Sequence, residues 1–210
     1  MPSDWEVNPK GMGENLLNEW ESAPAARAIW FAIEEVDHSG QSGLDALQML
    51  ASNGSSLAMY YLGEILAFGK YGLNPDRLAG MDWLQLSADA GSIEGAFLLA
   101  KMRLDDGKLS SAHSLLQCLG EQSFSPAIFR LGFLHVKGEQ APKDIDAGMA
   151  YFEAASAIGH VHAKMWIAYL LLKGNRGWKG RVLGFLKRLA LPPYVIAIHI
   201  KNPDSDLLRM

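Results

Sequence analysis

The chain has 210 residues, of which 49% are apolar and 20% charged, with a formal net charge of −4. That balance excludes wholesale disorder and collagen-like structure, and the single cysteine, Cys118, excludes both an intrachain disulfide framework and a cysteine-based zinc centre. Charge is unevenly spread: residues 173–210 hold eight Lys and Arg against Asp204 and Asp206, which leaves residues 1–172 at −10. An acidic body is a poor surface for nucleic-acid phosphates.

Residues 1–22 read as an acidic N-terminal arm, with Asp4, Glu6, Glu14, Glu19 and Glu21. They lack the basic start and apolar run of a signal peptide, so a cytoplasmic location is expected. Residues 24–37 read as the first helix of a degenerate opening unit. From there the chain repeats itself. Asp76–Gly91 and Asp144–Gly159 align without a gap at an offset of 68; Asp, Ala-Gly-Met and the closing Gly coincide, and Trp83-Leu84 falls on Tyr151-Phe152. Leu44–Gly54 matches Met81–Gly91 at an offset of 37.

A second pattern follows each of these. Ala58, Gly95, Ala127 and Ala163 are spaced by 37, 32 and 36 residues. Four residues beyond each stand Leu62-Gly63, Leu99-Ala100, Leu131-Gly132 and Ile167-Ala168, and the segments end at Gly69, Gly107, Gly138 and Gly174. Met59, Leu62, Ile65 and Leu66 share one helical face, as do Ala147, Tyr151, Ala154 and Ala155. Gly63, Ala100, Gly132 and Ala168 allow paired helices to approach closely. The terminal glycines suit left-handed C-caps, and Asp76 and Asp144 suit N-caps. A unit of helix, glycine loop, helix and glycine turn must stack on its neighbours to bury its apolar face.

These residues resemble the Sel-one-like repeat (SLR) family, relatives of the tetratricopeptide repeat. Ala-x3-Leu-Gly-x6-Gly followed by Asp-x2-Ala-x3-Tyr-Phe-x2-Ala-x3-Gly carries the likeness, which is nearest at Lys137–His160 and extends over residues 41–175. The unit at 95–121 departs from it, with a shorter loop at 108–111 and a second helix at 112–119. The resemblance implies an all-α, right-handed superhelix of about four helix-turn-helix repeats over residues 23–180. Residues 181–210 form a C-terminal extension with a capping helix.

In the related tetratricopeptide fold, positions two, six and nine after each anchor line the concave groove. Here the first two give Tyr60, Phe97, Phe129 and Met165, then Glu64, Lys101, Phe133 and Tyr169. The resemblance implies a groove that takes an apolar or aromatic segment of another protein; the same side chains can instead pack between units. No nucleophile elbow, zinc-protease helix, P-loop or dinucleotide fingerprint occurs in the sequence. No cofactor or metal is expected. His160 and His162 are the one close histidine pair, and a turn at a unit boundary accounts for them. Cys118 reads as an inert core thiol, and Asp105-Asp106 and Glu34-Glu35 as solvated surface. A hydrolase with a site in the groove is the enzymatic alternative, with Glu64 and Lys101 its ionisable candidates.

The tail is basic and apolar. Residues 181–190 read as an amphipathic helix ended by Pro192-Pro193, and Val195–Ile200 as a strand or extended arm. Charges and prolines rule out a spanning helix over 182–200. Three roles are open for Phe185, Lys187, Arg188 and Tyr194. They form a cap folded back on the repeats, a homodimer or partner contact, or a dock on an anionic membrane surface, the last implying a peripheral envelope adaptor.

Overall fold

A computed structural model describes residues 13–138, 142–201 and 205–209. Among them regular structure is entirely helical: eleven α-helices and two 3-10 turns. The helices are α1 (Glu14–Ser22), α2 (Ala26–Ser39), α3 (Gln41–Ser52), α4 (Ser56–Phe68), α5 (Arg77–Asp89), α6 (Ile93–Asp105), α7 (Leu109–Glu121), α8 (Ser125–Lys137), α9 (Ile145–Ala157), α10 (Val161–Leu172) and α11 (Gly177–Lys201). The chain divides into two compact units. Residues 15–108 form one; residues 13–14 and 109–209 form the other, among those described. Residues 1–12 of the acidic arm and part of the 138–144 glycine loop lie outside the described residues.

In the first unit α2 packs on α3, α3 on α4, α4 on α5 and α5 on α6. Its interior is built from Ile29, Leu47, Leu57, Ile65, Leu84, Leu99 and Met102, all fully buried. Trp20 of α1 is buried with them, and its indole Nε1 donates to Tyr61 Oη at 2.8 Å. Glu19 serves α6: its carboxylate accepts from Ser92 Oγ at 2.8 Å and from the Glu94 amide at 3.1 Å. Burial raises the Glu19 carboxyl above its usual pKa, against those hydrogen bonds.

In the second unit α7 packs on α8, α8 on α9, α9 on α10 and α10 on α11. Phe129, Met149, Phe152, Ile167, Leu170 and Leu171 fill its interior. Both units use the expected caps: Asp76 accepts from the Ala79 amide at 3.0 Å and Asp144 from the Ala147 amide at 2.8 Å. Gly69 and Gly138 close α4 and α8 in the left-handed conformation (φ 61° and 73°).

Close approach is visible where the repeat placed its small residues. A Cβ on Gly63 would lie 2.8 Å from Leu84 Cγ, and one on Gly132 would lie 2.8 Å from the Phe152 ring. The α9 face turns out differently from the expected one. Gly148, Met149, Phe152 and Ala155 are buried, while Ala154 is exposed. Gly148 is the reason: α9 rotates so that this position, the only one without a side chain, faces Val136.

One turn breaks the glycine rule. Gly54, Gly91 and Gly159 precede the N-caps of α4, α6 and α10 with positive φ, but the equivalent position before α8 is Ser123, at φ 62°. A left-handed non-glycine residue costs on the order of 1 kcal/mol. Ser123→Gly is therefore expected to raise unfolding free energy by about 1 kcal/mol in a urea titration; an unchanged midpoint would show the turn unstrained.

Three expectations are corrected here. Cys118 is exposed, because α7 turns Ala112, Leu116 and Leu119 inward and leaves position 118 on the other side. Asp106 is not merely solvated: Arg77 Nη2 pairs with it at 2.7 Å. Pro192-Pro193 do not end the helix, and residues 195–200 are neither strand nor arm; α11 runs through them to Lys201. Prolines cost a helix two amide donors, but the following turn is anchored. Tyr194 Oη donates to the Gly159 carbonyl at 2.7 Å, and Lys164 Nζ lies 3.3 Å from the Tyr194 ring centre.

Candidate functional site

Helices α8 and α10 carry equivalent positions of successive repeats, so side chains in one register meet across them. Phe133 and Tyr169, six residues after their anchors, are joined by Trp166. The Phe133 and Trp166 rings meet edge to face at 5.3 Å, and Trp166 and Tyr169 do so at 5.4 Å. Trp166 is backed by buried Phe152 at 5.8 Å. The result is a rigid aromatic row with one edge in the core and the other at the surface.

Beside it lies a cleft of about 430 Å³. Val136, Ile145 and Leu170 supply apolar lining, Trp166 and Tyr169 aromatic lining, and Lys137, Lys143 and Lys173 positive charge. Among the described residues, no carboxylate lines it. Lys137 Nζ lies 5.0 Å from the Phe133 ring centre and Lys173 Nζ 5.6 Å from that of Tyr169. Such contacts are worth roughly 0.5–1 kcal/mol at exposed sites. They hold the cations at the cleft while leaving their hydrogens for a ligand. The cleft can therefore bind an apolar or aromatic group and a carboxylate together.

The predicted residues divide by depth. Tyr60, Phe97 and Phe129 are buried. Phe129 stacks on His160 at 4.7 Å and meets Phe152 in a tilted contact at 5.5 Å, inside the core. Glu64 forms an ion pair with Lys70 at 2.8 Å, and Lys101 Nζ sits 5.8 Å from the Phe97 ring centre. Phe133 is half-buried, whereas Met165 and Tyr169 are exposed. In the tail, Phe185 and Arg188 face outward. Lys187 and Tyr194 instead line a smaller cleft of about 260 Å³ with Ser156 and Lys164.

Sequence reasoning missed Trp166 and the three lysines. A signal was present: Lys137 and Lys173 both stand ten residues after their anchors, one position beyond the register that was followed. His160 and His162 also gain a role. His160 caps α10, its Nδ1 accepting from the Ala163 amide at 3.2 Å, while its Nε2–H donates to the Arg209 carbonyl at 2.7 Å. His162 Nε2–H donates to the Leu208 carbonyl at 2.8 Å. The pair thus holds the chain's C-terminal 3-10 turn against α8 and α10. His160 is fully buried, and burial lowers its pKa to about 4.

Stacked helix-turn-helix units with these caps define an α-solenoid repeat protein. The Sel1 repeat family model matches residues 56–92 and 125–160, and these segments are Sel1-type (SLR) repeats within an α-solenoid fold. No curated protein matches it in sequence. Two solved structures share its fold. A Sel1 repeat protein from Oxalobacter formigenes is 17% identical with a TM-score of 0.61, over 81% of this chain and 74% of that one. The protein c5321 is a protective antigen present in uropathogenic Escherichia coli strains and displays an SLR fold. It is 17% identical with a TM-score of 0.64, over 86% of this chain and 42% of its own, so this chain spans less than half of it. Sel1-repeat proteins generally act as protein-interaction scaffolds. No described helix is long and apolar enough to cross a membrane.

Proposed function

We propose that this protein is a non-catalytic cytoplasmic adaptor. Its second unit holds a segment of another protein against the Phe133–Trp166–Tyr169 row. The segment carries an apolar or aromatic side chain for the cleft and at least one Asp or Glu for Lys137, Lys143 and Lys173. The observation that carries the reading is the cleft itself: aromatic walls and three cations, with no carboxylate among its described lining residues. A preformed aromatic surface costs little conformational entropy on binding, and the cations add selectivity and on-rate.

Peptide display against the immobilised full-length protein tests this. Enriched sequences are expected to pair Asp or Glu with Phe, Tyr, Trp or Leu. Phe133→Ala/Tyr169→Ala is expected to weaken such a peptide about tenfold or more. Lys137→Glu/Lys173→Glu is expected to weaken it similarly and to remove the salt dependence. Peptides that bind the Phe133→Ala/Tyr169→Ala protein as tightly as the parent would overturn the site.

A further inference from the structure

The last helix leaves a row of large apolar side chains uncovered. Gly180 and Gly184 are buried toward α10; a Cβ at Gly184 would lie 2.9 Å from the Ala168 carbonyl oxygen. On the opposite side of α11, Trp178, Val182, Phe185, Leu186, Leu189 and Ile196 are each more than half exposed. Single exposed apolar residues are ordinary, but a contiguous row of six marks an interaction surface.

Three observations specify what covers it. The first is position. α3, α5 and α9 each have the first helix of a following repeat packed against them, α4, α6 and α10 respectively. α11 is the corresponding second helix of the last repeat, and among the described residues only a 3-10 turn follows it. That turn packs on α8 and α10. Gly184 meets Ala168 and Leu172 as Gly148 meets Gly132 and Val136, so Phe185 takes the place of Met149, buried in α9, and among the described residues no following helix covers it.

The second is spacing. Val182, Leu189 and Ile196 stand seven residues apart, as do Trp178 and Phe185. This is the seam of a helix that winds on another helix. An anionic lipid surface would attract the same cations, but it does not ask for a seven-residue repeat.

The third is charge. From Gly177 to Lys201 the helix has no Asp or Glu, and Lys179, Arg181 and Arg188 flank the row. Two copies paired through α11 would set these cations against each other, and like charges across an interface are strongly disfavoured.

We infer that the outer face of α11 is a second docking surface, separate from the lysine cleft, whose occupant is an acidic amphipathic helix of a different protein. The partner helix would present a matching seven-residue apolar seam flanked by Glu or Asp.

Photo-crosslinking in the native cell tests this. The full chain carries benzoylphenylalanine at Leu189, and a second version carries it at exposed Leu78 as background. Mass spectrometry then identifies the crosslinked segment. The expected product joins position 189 to an acidic, heptad-patterned helix of another protein. Adding Arg181→Glu/Arg188→Glu to the Leu189 version should cut its yield about tenfold. Both substituted positions are exposed, and circular dichroism verifies that the variant remains helical. Crosslinks to a second copy of this chain or to lipid would overturn the inference, and so would a yield no higher than at Leu78. So would a product insensitive to the charge reversal.

Discussion

Gly80→Ala is expected to destabilise the protein by about 3 kcal/mol, although alanine is the better helix former by about 1 kcal/mol. Gly80 is the central residue of the repeated Ala-Gly-Met. An added Cβ there would lie 2.5 Å from the Ala67 amide nitrogen and 2.6 Å from Ala67 Cβ. Backbone at that distance cannot yield as a side-chain tip can, so α4 and α5 would have to separate along their length. Gly148 holds the same place in the second unit, where the added atom would meet Val136 Cγ2 at 2.4 Å. Gly120 in α7 is the counter-case. Its Cβ would find Ile128 Cγ1 at 3.4 Å, an ordinary contact, and Gly120→Ala is expected to stabilise by up to about 1 kcal/mol. Urea unfolding of the two variants checks the signs; a neutral Gly80→Ala would mean that the helix pair tolerates a wider spacing.

Acid is expected to weaken the second unit through His160. Its folded pKa of about 4 lies below the ordinary 6.5, so the unfolded chain takes up the proton first. Stability from this residue is fully present above pH 6.5 and declines as pH falls from there toward 4. The loss amounts to about 3 kcal/mol, the linkage equivalent of the shift. The main cause is burial, which keeps water from a charged imidazole, with His162 adding to it; a protonated Nδ1 also can no longer accept from the Ala163 amide. His160→Ser provides the comparison, because Ser55 and Ser92 cap α4 and α6 at the equivalent position. The variant should lose less stability than the parent between pH 7 and pH 4, as read by chemical denaturation at each pH. Parallel losses in the two proteins would show that His160 does not carry the effect.

Much of the fold was legible because its determinants are local and periodic. The offset of 68 between Asp76–Gly91 and Asp144–Gly159 set the unit, and the Asp and Gly punctuation marked its caps and turns. Small residues at 63 and 132 announced where helices would touch. Each signal is a statement about one helix or one turn, which a few adjacent residues decide. That Phe133 and Tyr169 would belong to one row was legible for the same reason: a shared register in successive repeats puts two positions side by side.

What lay beyond the sequence depended on how helices rotate and on what distant segments meet. Trp166 entered the site because α10 turns it between Phe133 and Tyr169. Cys118 came to the surface because α7 rolls on Ala112 and Leu116. Pro192-Pro193 is a local stop signal, overridden because Tyr194 is tied to Gly159, 35 residues earlier. The histidine pair reads as a turn until the C-terminal carbonyls of Leu208 and Arg209 arrive to be bound. Propensity and periodicity set the elements, each worth about 1 kcal/mol or less per residue. Packing and buried hydrogen bonds between segments far apart in the chain then decide which face is inside, and those contacts exist only once the repeats have stacked.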